Sequence, residues 1–85
     1  MTEAQINAVN WLRARGGDGL FDLNGVLVAH GERAPFMRST WNTLGSLGYI
    51  EFYNTRGGQG RGRLRLTQAA DSVPRCDVNE YGEAL

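Results

Sequence analysis

The sequence predicts a small α+β domain made of two main helices and a β-hairpin. Apolar residues recur at helical spacing in two segments, and two later segments alternate between apolar and polar residues around an arginine–glycine stretch. Glycines separate these segments from one another. A chain of 85 residues supports one domain with a modest core. A hydrophobic share of 41%, with two tryptophans, indicates a folded chain rather than a disordered one.

The first helix is predicted over about residues 3–15. Thr2 stands at the N-cap position, and Gln5 three residues later completes a capping box. Gly16 and Gly17 are expected to end the helix, because glycine readily adopts the left-handed conformation that follows a helix. The stripe that this helix would bury consists of Ile6, Ala8, Val9, Trp11 and Leu12.

Residues 18–33 allow two interpretations. The Asn24-Gly25 dipeptide is typical of a two-residue type I′ turn and predicts a hairpin that sets Phe21 opposite Val28. The alternative is a short helix over roughly residues 26–30. We favour the hairpin, because two valines and the Asn-Gly dipeptide have poor helix propensity.

The second helix is predicted over residues 35–47, with Pro35 in its first turn, where the missing N–H costs nothing. Its buried stripe is expected to be Met37, Trp41, Leu44 and Leu47. Its opposite face carries Arg38, Ser39, Thr40, Asn42, Thr43 and Ser46. Arginine binds guanine and asparagine binds adenine through two hydrogen bonds each, so this face is a candidate for contacts with DNA bases.

Two strands follow, YIEFYN and RGRLRLT, and their apolar residues predict the register. Antiparallel pairing that joins these residues sets Phe52 opposite Leu64 and Ile50 opposite Leu66. We expect the four side chains to face the core. Together with Trp11 and Trp41, Phe52, Leu64 and Leu66 are predicted to form that core.

On the outer face, the same register sets Glu51 opposite Arg65 and Tyr53 opposite Arg63. Arg65 is therefore expected to form a cross-strand ion pair, and Arg63 is expected to lie over the tyrosine ring. The hairpin residues predicted to contact DNA are Arg56, Gln59, Arg61 and Arg63.

The zero net charge hides a segregation of charge along the chain. Residues 55–67 carry four arginines and no carboxylate (+4), whereas residues 68–85 carry one arginine and four carboxylates (−3). A wholly basic segment favours an anionic partner. Residues 2–68 are predicted to form the domain, and residues 69–85 an acidic, mobile tail that offers a contact to a protein partner.

The order of helix, connector, helix PFMRSTWNTLGSLG, strand YIEFY, arginine–glycine loop and strand RLRLT resembles a winged helix-turn-helix domain. The resemblance covers about residues 2–68. It implies that the helix over residues 35–47 reads the major groove and that the loop over residues 55–61 is a wing on the DNA backbone. The lysine-free composition is also similar to that of phage or prophage proteins.

Double-stranded DNA is therefore the predicted partner, and a small transcription regulator is the predicted function. The alternative is a winged-helix protein-interaction module, such as a phage protein that inhibits a host factor, because DNA-binding domains of this size are usually basic overall. An enzyme is not expected, since one histidine, one cysteine and no lysine provide no nucleophile–base pair, metal set or cofactor site. No apolar run spans a bilayer and no signal peptide is evident, so a cytoplasmic protein is predicted. The sequence leaves open whether the protein forms a homodimer.

Overall fold

The computed structural model describes residues 1–53 and 62–85. The elements are α1 (Glu3–Arg13), β1 (Asp18–Phe21), β2 (Leu27–Ala29), β3 (Glu32–Arg33), α2 (Arg38–Ser46), β4 (Ile50–Tyr53), β5 (Arg63–Leu66) and a 3₁₀ helix (Gln68–Ser72). Within the described residues, five antiparallel strands form one sheet in the order β3-β2-β1-β5-β4. The predicted α+β class with two main helices is therefore confirmed.

Helix α1 begins as the capping box predicts. The Thr2 hydroxyl accepts a hydrogen bond from the Gln5 backbone N–H (3.2 Å), and the Gln5 side chain accepts one from the Thr2 N–H (3.0 Å). The helix ends at Arg13, two residues earlier than predicted. Gly16 and Gly17 follow with φ values of 88° and 75°, and they turn the chain into β1.

The β1–β2 hairpin is present, but its predicted register is wrong by one residue. Phe21 pairs with Leu27, and Leu20 pairs with Val28. Because a one-residue shift moves every side chain to the other face, Leu27 lies fully buried in the core, whereas Val28 faces outward with Leu20.

The turn of this hairpin explains the shift. Its loop has three residues, because the Asp22 N–H donates to the Val26 carbonyl (2.9 Å). The Asp22 carboxylate accepts hydrogen bonds from the backbone N–H groups of Asn24 (2.8 Å) and Val26 (3.0 Å), and Gly25 has φ 77°. The Asn24-Gly25 dipeptide is therefore part of a three-residue loop rather than a type I′ turn.

Strand β3 was not predicted. It pairs with β2 through a two-residue turn at His30 and Gly31, where both φ values are positive (50° and 76°), the conformation of a type I′ turn. Glu32 and Arg33 are both exposed, so the strand carries no apolar signal in the sequence.

Helix α2 begins at Arg38, three residues later than predicted, and Pro35 lies before it rather than in its first turn. Phe36 takes the place expected for Met37. Its ring lies edge-on to Trp11 (6.5 Å between centroids) and to Trp41 (5.7 Å). Met37, in contrast, is 74% exposed.

The stripe predicted for α2 is correct only in its middle. Trp41 and Leu44 are fully buried, whereas Leu47, just beyond the helix, is 52% exposed. Tyr49 is half-buried and contacts the core instead.

The β4–β5 register is as predicted: Ile50 pairs with Leu66 and Phe52 with Leu64. Ile50 and Leu64 are buried, but the predicted core position of Phe52 is wrong, since this side chain is 37% exposed. Its ring stacks on Phe21 with 6.1 Å between centroids. Leu66 is half-buried at the edge of the core, whereas both tryptophans are buried as expected.

Residues 70–76 lie against α1, although the sequence predicts a mobile tail over residues 69–85. Ala70 and Val73 belong to the core, each 2% exposed. The buried Asn10 side chain donates to the Pro74 carbonyl (2.8 Å) and accepts from the Cys76 N–H (3.1 Å). These bonds let a polar segment join the fold, and contacts therefore continue across the boundary predicted after residue 68. In the described ranges, no helix is long and apolar enough to cross a membrane.

Candidate nucleic-acid interface

The polar face of α2 is accessible to a partner. Ser39, Asn42, Thr43 and Ser46 are exposed, and Arg38 and Thr40 are half-buried. Residues 38–46 include no carboxylate. The structure thus places the six predicted base-contact candidates on one short helix, which the buried Trp41 and Leu44 hold against the core.

The side chain of Arg38 extends from α2 to aromatic rings of the sheet. Its Nε donates to the Asn42 Oδ1 (3.2 Å), which confirms that these two residues are neighbours on the helix surface. Its guanidinium carbon lies 3.9 Å from the centre of the Phe21 ring and 5.6 Å from that of Phe52, within the range of a cation–π contact. These contacts hold the guanidinium group of Arg38 against the aromatic rings of the sheet.

The outer face of the β-hairpin carries the cross-strand pair that the register predicts. The Arg65 Nε donates to the Glu51 carboxylate, and the Arg65 guanidinium carbon lies 4.6 Å from the centre of the Tyr53 ring. Glu51 raises the pKa of Arg65 through this hydrogen bond and its charge. Arg65 is therefore part of a structural ion pair, as predicted.

Arg63 has a partner that sequence reasoning missed. Its guanidinium carbon lies 5.9 Å from the centre of the Tyr53 ring, as the register suggests, but its Nη2 also forms an ion pair with the Asp18 carboxylate on β1 (2.9 Å). The Tyr53 hydroxyl donates to the same carboxylate and accepts from the Arg63 Nε (3.0 Å). No sequence signal indicated that β1 pairs with β5, so this partner could not be predicted.

The Asp18 cluster, defined as Asp18, Tyr53 and Arg63, favours the charged forms of Asp18 and Arg63. Partial burial opposes ionisation of Asp18, but hydrogen bonds from Tyr53 and Arg63 lower the pKa of Asp18 below its ordinary value. The hydrogen bond to Asp18 in turn raises the pKa of Arg63. The positive charge of Arg63 is accordingly compensated within the protein.

The other three predicted hairpin residues, Arg56, Gln59 and Arg61, lie outside the described residues. Among the described arginines, ion pairs with carboxylates also involve Arg15 with Glu32 (3.1 Å) and Arg33 with Asp22 (3.0 Å). The described surface is therefore less basic than its arginine content suggests.

Exposed apolar side chains accompany the polar face of α2. Met37 precedes the helix, Leu47 follows it, and both are at least half exposed. The Phe52 ring lies against Gly45 of the helix, where an added Cβ atom would come within 2.6 Å of it. The surface around α2 is thus mixed in character.

Residues 1–53 and 62–85 show no cluster of metal-binding side chains. These ranges contain no cluster of three or more histidine, cysteine, aspartate or glutamate residues that could hold a metal ion. Cys76 is a free, exposed thiol.

Comparison with protein-family models, with curated proteins and with solved structures finds no match to this chain.

Proposed function

We propose that the protein binds double-stranded DNA as a small transcription regulator, with α2 in the major groove. The observation that carries this proposal is the accessible face of α2, which has six polar side chains and no carboxylate. Asn42 and Arg38 are side-chain types that bind adenine and guanine, and hydroxyl groups of Ser and Thr serve both bases and phosphates. The β4–β5 hairpin directly after α2 agrees with the element order that the winged-helix resemblance implies.

Phosphate contacts fall mainly to Arg56 and Arg61 in this proposal. Arg63 and Arg65 form ion pairs with Asp18 and Glu51, so a DNA phosphate would have to compete with a carboxylate for each of them. We therefore expect the hairpin to use fewer phosphate contacts than its four arginines would allow.

Ser39→Asp tests the α2 surface without threatening the fold. Ser39 is exposed in the first turn of α2, which has no acidic residue, and a carboxylate there interacts favourably with the helix dipole. Facing DNA, the same carboxylate would meet phosphates, so affinity should fall about tenfold or more. Fluorescence anisotropy with a labelled duplex measures the affinity, and thermal melting should show an unchanged or slightly higher Tm.

Ser72→Asp is the matched control, because it adds the same charge at an exposed serine outside α2. It should lower the affinity much less than Ser39→Asp. A salt titration with random duplex DNA completes the test, since binding through phosphates weakens steeply with salt. Absence of binding at low salt, or equal losses in the two variants, would contradict the proposal.

A winged-helix protein-interaction module is the second candidate. The exposed Met37 and Leu47 at the two ends of α2, together with the partly exposed Phe52 beside Gly45, favour it, because apolar side chains on the surface can contact a protein partner. The zero net charge agrees with such a role. Lack of DNA binding at low salt would favour this candidate over DNA binding. One such module would be a phage protein that binds a host factor.

A further inference from the structure

We propose that a cleft at the carboxyl end of α1 binds a small oxyanion, a phosphate or carboxylate group, between the guanidinium groups of Arg13 and Arg75. The cleft has a volume of about 390 Å³ and is lined by Asn10, Arg13, Ala14, Arg75, Cys76 and Asp77. Small-molecule sites commonly have such volumes. None of the lining residues belongs to α2 or to the β4–β5 hairpin, so this proposal stands apart from DNA binding.

Arg13 provides a fixed positive charge in one wall of the cleft. It is half-buried, and its guanidinium group donates to the Asn10 Oδ1 (2.7 Å) and to the Ala70 carbonyl (2.6 Å). These acceptors and a third, the Val73 carbonyl (3.4 Å), are neutral oxygens. No carboxylate of the described residues lies within ion-pair distance of Arg13. A charge that is already held in place loses little entropy when a ligand binds.

Arg75 provides the second charge from the facing segment. Its backbone is fixed on both sides by Asn10, which binds the Pro74 carbonyl (2.8 Å) and the Cys76 N–H (3.1 Å). Its side chain is exposed and forms no ion pair with any described carboxylate. The arginines that do form such pairs are Arg15, Arg33, Arg63 and Arg65.

Two guanidinium groups beside one cleft repel each other, and an anion between them would relieve that repulsion. Burial and the nearby Arg75 both lower the pKa of Arg13, which agrees with this arrangement. Guanidinium groups suit an oxyanion because their N–H groups form a planar fork. Asp71 offsets part of the charge and Asp77 lines the cleft, so a singly charged group fits better than a polyanion.

Cys76 supplies the reporter for a test. It is the chain's one cysteine, its thiol is free and exposed, and it lines the cleft. We would follow its alkylation by iodoacetamide, a neutral reagent, during titration with sodium phosphate or sodium acetate, with chloride keeping the ionic strength constant. A bound anion should slow alkylation in a saturable way, and the two titrations show whether phosphate or carboxylate is preferred.

Arg75→Gln should weaken the protecting anion's affinity about tenfold, since a hydrogen-bonded charge is lost. Arg33→Gln removes an exposed arginine of β3, far along the chain from the cleft, and should leave the affinity unchanged. Asp77→Asn should tighten binding, because it removes a negative charge from the cleft wall. Unsaturable or absent protection with both anions, or equal protection in Arg75→Gln and the parent, would overturn the proposal.

Discussion

Different contacts hold the strands in register in the β1–β2 hairpin and in the described part of the β4–β5 hairpin. In β1–β2 the turn does so, because the Asp22 carboxylate binds two backbone N–H groups of the loop and Gly25 adopts a positive φ. In β4–β5 the described contacts are between side chains on the strands, with Glu51 bound to Arg65 and Tyr53 bound to Arg63. Register can thus be imposed by a short loop or by cross-strand side chains.

The two hairpins should consequently respond to different substitutions. A change in loop backbone should affect β1–β2, whereas a change in a buried or hydrogen-bonded side chain should affect β4–β5. Asp18 connects the two, since it lies on β1 and its carboxylate binds Tyr53 and Arg63 of the other hairpin.

The largest effect is expected from Leu64→Ala. Leu64 is fully buried on β5, which lies between β1 and β4, so its truncation should lower the free energy of unfolding by about 2–5 kcal/mol. Phe52→Ala, directly across the pair, should cost less than a buried phenylalanine usually does, because Phe52 is 37% exposed. Urea denaturation followed by tryptophan fluorescence measures both. A Leu64→Ala protein as stable as the parent would contradict the assignment of β5 to the core.

A smaller effect is expected from Gly25→Ala in the β1–β2 loop. Gly25 has φ 77°, and an added Cβ would meet no atom within 4 Å, so the cost is that of the backbone conformation alone, about 1–2 kcal/mol. Gly25→Asn should lose less, because asparagine tolerates this conformation better than alanine. Thermal melting of the three proteins makes the comparison. Equal stability of parent and alanine variant would show that the loop does not require positive φ.

The smallest effect concerns the Asp18 cluster and depends on pH. Hydrogen bonds from Tyr53 and Arg63 lower the pKa of Asp18 despite partial burial, so its contribution to stability is full above its unfolded pKa, near 3.9, and is lost as pH falls through the lower folded pKa. Asp18→Asn should therefore flatten the decline of stability below about pH 4. In Tyr53→Phe the loss should be smaller and should be complete at a higher pH, because the folded pKa of Asp18 then lies closer to its unfolded value. Urea denaturation over a pH series measures this, and an unchanged acid profile in Asp18→Asn would rule out the contribution.

The β4–β5 pairing could be predicted because Ile50, Phe52, Leu64 and Leu66 alternate with polar residues on both strands. The β1–β2 register could not, because Asn24-Gly25 fits two kinds of turn and the carboxylate of Asp22 decides between them. The preference of the Asn-Gly dipeptide for a type I′ turn competes there with the hydrogen bonds of the Asp22 carboxylate. Those hydrogen bonds exist only in the folded loop.

Long-range contacts account for the other differences. The ion pair of Arg63 with Asp18 was missed, because it joins residues 45 positions apart in the chain, and the DNA contact of Arg63 stays a prediction. A mobile tail was predicted over residues 69–85, but Asn10 and Arg13 of α1 bind the backbone of residues 70–76. The available signal was the pair of asparagines, Asn7 and Asn10, among the apolar residues of α1, since both are buried and a buried amide requires hydrogen-bond partners. The accessible polar face of α2, in contrast, followed from helical periodicity alone.

Asn10 also bears on the order in which a ribosome delivers the parts of this fold. Asn10 lies in α1 and is only 4% exposed. Two of its hydrogen-bond partners are backbone groups of Pro74 and Cys76. At a synthesis rate of roughly 5–20 residues per second, Pro74 and Cys76 are added several seconds after α1. During that interval the buried Asn10 amide lacks these two partners, so the native structure cannot be completed before residue 76 has been added.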